Sequence, residues 1–177
     1  MPPRDRVFLL LLGLVLAACG GQPDYRVVHT GSWNGRVPPP RGPVVVTVVT
    51  PKGRYPLDEA ALRRLTWVRL TTKYHPDERK NKVATFEGVR FSDLFRELGV
   101  PRPRRVRFEA RDGYRIAADW RRIGAFDPML ALRMNGRPLP PLFAPAWVVF
   151  PYRRLKPDPV AYNSYWVWKL KTIVVEP

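Results

Sequence analysis

From residue 44 onward, short β-branched or alternating runs follow one another with a turn signal after almost every one, a rhythm that a helical bundle cannot accommodate. Val44 to Val49 is a continuous β-branched run, as a buried strand requires. Thr66 to Tyr74 alternates, with Val68 and Leu70 on one face and Arg69, Thr71 and Lys73 on the other, which predicts a half-buried strand. His75 to Lys82 reads as a charged loop, and Val83 to Arg90 is extended again. Val106, Phe108 and Ala110 alternate up to Asp112-Gly113, and Tyr114, Ile116 and Ala118 resume the alternation, so a two-residue hairpin is expected between them. Asn135-Gly136 gives the same signal after Met129 to Met134. Trp147 to Phe150 is stopped by Pro151, and a last extended run covers Tyr165 to Val175.

Helical signals are few. Asp58 is placed to cap a short helix through Leu65, and Ser92 to cap another in which Leu94, Phe95 and Leu98 share a face before Gly99 ends it. Gly88 reads as the turn between a strand and that second helix. With about eight strands, two or three short helices and no internal repeat, the class is α+β, strand-dominated, in a single domain.

Ahead of residue 44 the character changes. Arg4 and Arg6 precede an apolar run from Val7 to Leu16, followed by the small residues Ala17 and Ala18 and then Cys19. This is the layout of an export signal, and the apolar run falls short of the roughly 20 residues that a membrane-spanning helix needs. Leu16-Ala17-Ala18-Cys19 looks like the lipobox of bacterial lipoproteins, in which the cysteine is acylated and becomes the new N-terminus. A signal peptide over 1–18 is therefore expected, with lipid on Cys19 holding the protein to a membrane that faces the periplasm or the cell exterior. Gly20 lacks the aspartate often associated with retention at the inner membrane, and which membrane holds the anchor stays open. Residues 19–43 are rich in glycine and proline, broken only by the apolar patch Tyr25 to Val28, and read as a tether with the domain on 44–177.

Cys19 is the only cysteine, so no intramolecular disulfide can form and stability must come from packing. The net charge is +16, and +15 once residues 1–18 and their two arginines and one aspartate are gone. Such a field favours acidic partners or anionic headgroups, while export argues against nucleic acid. Because the cations are spread along the chain, they also read as ordinary solvated surface.

Four segments in order carry a resemblance: Thr85 to Phe95, Glu109 to Tyr114, Leu130 to Leu139 and Pro145 to Tyr152, closed by Trp166-Val167-Trp168-Lys169-Leu170. Together they resemble the oxidoreductase molybdopterin-binding domain of the sulfite oxidase superfamily, over roughly Val44 to Val175, and most nearly its short exported members. The resemblance implies that fold, and it makes molybdopterin a possible cofactor. In active members a cysteine thiolate binds molybdenum beside the dithiolene sulfurs of the pterin. By order along the chain it would fall between Tyr74 and Val83, where this sequence has no cysteine. Where cofactor-binding relatives show Gly-x-Pro-x-Arg, this chain has Ala144-Pro145-Ala146-Trp147. Proteins loaded with this cofactor in the cytoplasm usually leave folded through the twin-arginine route, whereas here Asp5 interrupts the arginine pair. No cofactor is therefore expected, no catalytic residue is assigned, and whether the domain is an enzyme stays open. A non-thiolate molybdenum ligand such as His75 or Tyr74 is the form an active oxidoreductase would take, and a cationic envelope-binding protein is a third possibility.

The two histidines, His29 and His75, cannot assemble a usual zinc set, nor is there a Ser-His-Asp triad or a phosphate loop. Trp147, Tyr152, Trp166 and Trp168 lie near Arg153, Arg154 and Lys156, a mixture able to stack a flat heterocycle or to face an acidic partner, and equally able to be core beside a solvated loop. The candidate ligand cleft is accordingly His75, Tyr114, Trp147, Tyr152, Arg153, Arg154 and Trp166. Its candidate occupants are a small heterocyclic ligand and an envelope or redox partner protein.

Overall fold

The computed structural model describes residues 24–74, 82–155 and 160–177. Among these residues, eleven strands build two sheets. The first sheet runs in the order β1 (Tyr25–His29), β4 (Trp67–Lys73), β5 (Val83–Arg90), β8 (Met129–Met134) and β10 (Trp147–Val149), with the two-residue β9 (Arg137–Pro138) also on β8. The second runs β3 (Gly53–Asp58), β2 (Val44–Thr50), β11 (Leu170–Glu176), β6 (Arg105–Ala110) and β7 (Arg115–Asp119), and its β11–β2 pairing is parallel. Among the described residues three short helices, α1 (Glu59–Arg63), α2 (Phe91–Glu97) and α3 (Trp120–Ile123), complete a strand-dominated α+β domain. No helix among the described residues is long and apolar enough to cross a membrane.

Both sheets turn one face into a common core: Val46, Val48, Phe108 and Ile173 from the second meet Val68, Leu70, Phe86 and Leu130 from the first, all 2% exposed or less. Phe91, Phe95, Phe108 and Trp120 knit α2 and α3 to it, with ring centroids 4.9–5.9 Å apart. The alternation read in β4 holds from Val68 on, with Val68, Leu70 and Thr72 buried and Arg69, Thr71 and Lys73 exposed. Gly88 does not turn the chain. It lies inside β5, opposite Val68 and Ala131, where a Cβ would stand 2.0 Å from the Leu130 carbonyl oxygen. Its role is to let β8 approach.

Several expectations are corrected. Residues 24–43 are not a tether, because β1 pairs antiparallel with β4 and Trp33 is 2% exposed in the core, its indole N–H donating to the Ala61 carbonyl at 2.9 Å. Tyr25 donates its hydroxyl to the Asp127 carbonyl, which fixes β1 to the body. Ser92 is not a cap. It lies inside α2 and donates to Asp127 Oδ1, while the helix start is held by Phe91 N–H donating to the Pro128 carbonyl. The first hairpin loop has three residues, Arg111 to Gly113, closed by Ala110 N–H on the Tyr114 carbonyl with Gly113 at φ +91°. The second loop has two, Asn135 and Gly136, both at positive φ, as expected. The last strand begins only at Leu170, because the extended run is broken at Lys169, whose φ is +50°.

Asp58 caps α1 through Ala61 N–H at 2.7 Å, and its other oxygen accepts from Arg41 and Gly42 N–H at 2.6 and 2.8 Å. The Ala61 N–H first of all, then those of Arg41 and Gly42, hold its carboxyl below the usual range against the opposite pull of burial. A folded-state pKa below the unfolded value contributes stability above about pH 4, lost as pH falls through the folded pKa. Asp58→Asn is therefore expected to cost about 2 kcal/mol at pH 7 in urea unfolding. The difference from the parent should shrink towards pH 3, and an undiminished gap there would contradict this assignment.

Candidate functional site

The β6–β7 turn and the segment leading into β11 enclose a cleft of about 580 Å³. Gly113 lets the turn fold back so that the Tyr114 ring leans over a 3₁₀ turn spanning Val160–Tyr165, and the Tyr114 hydroxyl donates to the Ser164 carbonyl at 2.9 Å. Arg111 N–H donates to the Lys169 carbonyl at 2.8 Å, and Lys169 Nζ stands 3.8 Å from Asp112. These bonds tie the turn to the entry of β11. Trp166, Val167 and Trp168 form the apolar wall, and Asp112, Asn163 and Ser164 contribute polar groups at the rim. Burial, with a smaller contribution from neighbouring Tyr165, raises the Tyr114 phenol above its ordinary value. It therefore stays a protonated donor at physiological pH.

Behind the wall stands a continuous aromatic cluster centred on Trp147. Its ring stacks on Phe143 at 4.1 Å and meets Phe86, Tyr74, Trp166 and Trp168 edge-on at 5.3–6.4 Å. Its indole N–H donates to the Trp166 carbonyl at 3.3 Å. The ring is fully buried, so it supports the cleft wall from behind and does not face a ligand.

Of the residues expected to share a cleft, the structure brings Tyr114 and Trp166 together. Tyr152 starts a separate 3₁₀ turn, Tyr152–Leu155, with its N–H donating to Thr72 Oγ1 at 2.9 Å. Arg153 and Arg154 are exposed on that turn, and Arg154 is ion-paired with Asp24 beside β1, so neither lines the cleft. Cys19, His75 and Lys156 lie outside the described residues. Asp112, Asn163 and Ser164 were not singled out as site residues. Asp112 was visible as turn chemistry, while the polar pair 163–164 carries no signal beyond preceding Trp166.

Among the described residues no group of three His, Cys, Asp or Glu side chains is placed to hold a metal ion. The side-chain sulfurs there belong to Met129, in the core, and Met134, half-buried. This donor set does not fit a thiolate-ligated molybdenum.

The sequence matches the family described as the oxidoreductase molybdopterin binding domain over residues 60–173. Among solved structures, the sulfane dehydrogenase SoxCD from Paracoccus pantotrophus is similar, with a TM-score of 0.57 and 16% identity. The superposition covers 75% of this chain and 38% of that one, so this chain spans well under half of that relative's length. At that identity the likeness is one of fold. No curated protein matches the chain.

Proposed function

Because the chain belongs to the oxidoreductase molybdopterin-binding domain family, we propose that it is a member of that family turned into a membrane-anchored ligand-binding or redox-accessory module. The observation that carries this reading is the position of the single cysteine. Cys19 sits in the lipobox-like segment at the end of the apolar leader, and the stretch between Tyr74 and Val83 contains no cysteine. Molybdenum in this family is held by a soft thiolate, and a hard carboxylate or a lone imidazole is a poor replacement. The sequence thus has its sulfur where lipid would be attached and lacks it where a metal would be gripped.

The cleft beside Tyr114 is the proposed binding site. Its walls, Trp166 and Trp168 with Tyr114 across from them, suit a flat heterocycle, and Asn163 and Asp112 at the rim offer hydrogen bonds to its edge. Residues 1–18 would be removed on export, and lipid on Cys19 would hold the domain at a membrane facing the periplasm or exterior.

The test is metal and pterin analysis of the full lipoprotein purified from its own cells, with mass spectrometry of the peptide containing Cys19. The expected result is diacyl- or triacyl-modified Cys19 with molybdenum far below one per chain. Stoichiometric molybdenum with pterin would make the chain an oxidoreductase with a non-thiolate ligand and overturn the accessory reading.

A further inference from the structure

A lipid-bearing Cys19 would be separated from Asp24 by Gly20-Gly21-Gln22-Pro23 alone. Five residue steps reach at most about 18 Å even fully extended. At Asp24 the chain is already fixed, by its ion pair to Arg154, and from Tyr25 it runs as β1 on the edge of the first sheet. The body of the protein would thus be confined to the membrane surface, with β1 the nearest element.

The outer face of that sheet is cationic. Register places Arg26 beside Arg69, Arg69 beside Glu87, and Glu87 beside Arg133, one row across four strands. Thr71 and Thr85, and then Lys73 and Val83, make the next rows on the same face. Arg63 adds a further cation, its guanidinium 4.9 Å from the Trp67 ring centre. Arg69 pairs with Glu87, and Arg63 and Arg133 share Glu59, so among the described residues of this face the carboxylates are fewer than the cations. Val83 is 56% exposed at the rim. The second sheet also carries exposed arginines, Arg54, Arg107 and Arg115, but its outer face looks away from the core on the sheet that β1 does not join.

We infer that the outer face of the first sheet, centred on Arg26 and Arg69, lies against the anionic lipid headgroups of the membrane that holds Cys19. This rests on the lipid-anchor reading above. Charge complementarity supplies the attraction, and the short connection makes it effective by keeping the face within reach of the surface.

The lipidated full chain, reconstituted in vesicles of phosphatidylglycerol mixed with phosphatidylcholine, is treated with an arginine-selective dicarbonyl reagent and read residue by residue. Arg26 and Arg69 are expected to react about fivefold more slowly than on pure phosphatidylcholine vesicles, while Arg54 and Arg115 react equally on both. High salt should restore Arg26 and Arg69 while the protein stays on the vesicle, because salt screens the contact and leaves the anchor intact. Equal labelling of the two faces on both vesicles would overturn the docking. Protection that persists in detergent without vesicles would also overturn it, by pointing to a second copy on this face. The mass of the Cys19 peptide from the same sample reports the anchor separately. If it carries no lipid the anchor reading fails by itself, and footprints of that unlipidated chain with the same vesicles still decide the docking.

Discussion

Gly88→Val is expected to yield no folded protein, and Gly88→Ala to cost more than about 4 kcal/mol, an exceptional loss for adding one methyl group. The cause is not backbone strain, since Gly88 is extended within β5. A Cβ there would sit 2.0 Å from the Leu130 carbonyl oxygen and 3.0 Å from the Ala131 Cα, both backbone atoms of β8 that cannot rotate away. The pairing of β5 with β8 already shifts register between Glu87 and Gly88, so the two strands are closest where one of them has no side chain. Relief would require moving β8, and with it β10 and the Trp147 cluster that backs the cleft. Circular dichroism melting of Gly88→Ala provides the measurement. The control is Gly113→Ala, where φ is positive but no atom lies within 4 Å, and about 1 kcal/mol is expected. Equal losses in the two variants would mean that conformation and not close approach governs Gly88.

Trp33→Ala should lower stability by about 4 kcal/mol and the melting temperature by on the order of 10 °C for a domain of this size. The indole is 2% exposed, and removing it both opens a cavity and leaves the Ala61 carbonyl without its donor. The surrounding loop is also held by polar bonds, with Glu97 Oε2 accepting from Trp33 N–H and from Ser32 Oγ. A chain beginning at residue 44, the boundary that composition suggests, would lose this indole together with β1, exposing the edge of β4. It should be recovered as aggregate. A soluble truncation with the melting temperature of the intact protein would show that residues 24–43 add nothing to the fold.

That boundary marks where sequence reading stopped being informative. Composition over 19–43 is dominated by glycine and proline, yet one tryptophan and a five-residue strand suffice to join the segment to the core. Tyr25 to Val28 was visible only as an isolated apolar patch, and no local pattern could announce that its partner is β4, some 40 residues on. Gly53–Asp58 was missed for a related reason. Pro56 argues against a strand, but β3 is an edge strand, where a missing N–H is tolerated. Period-two alternation and the two turn dipeptides place both hairpins because those are local, although the loop at Asp112-Gly113 is one residue longer than the dipeptide implies. The candidate site was half legible. Asp112-Gly113 announces the turn, while Tyr114 reads as the start of the return strand and its 44% exposure emerges only in the fold. Trp147, a candidate through its neighbours in sequence, is packing, because aromatic residues close in sequence on either side of a strand end need not face the same space.

The position of β11 governs the order in which this molecule can assemble. It is the last strand in chain order, yet it lies at the centre of the second sheet, parallel to β2 and antiparallel to β6. Until residues 170–176 emerge, β2–β3 and β6–β7 are two separate hairpins, each exposing an open edge and neither able to finish the core. The second sheet therefore closes only when residues 170–176 arrive, and a chain that meets its partners in order from the amino end holds that half of the core open until then.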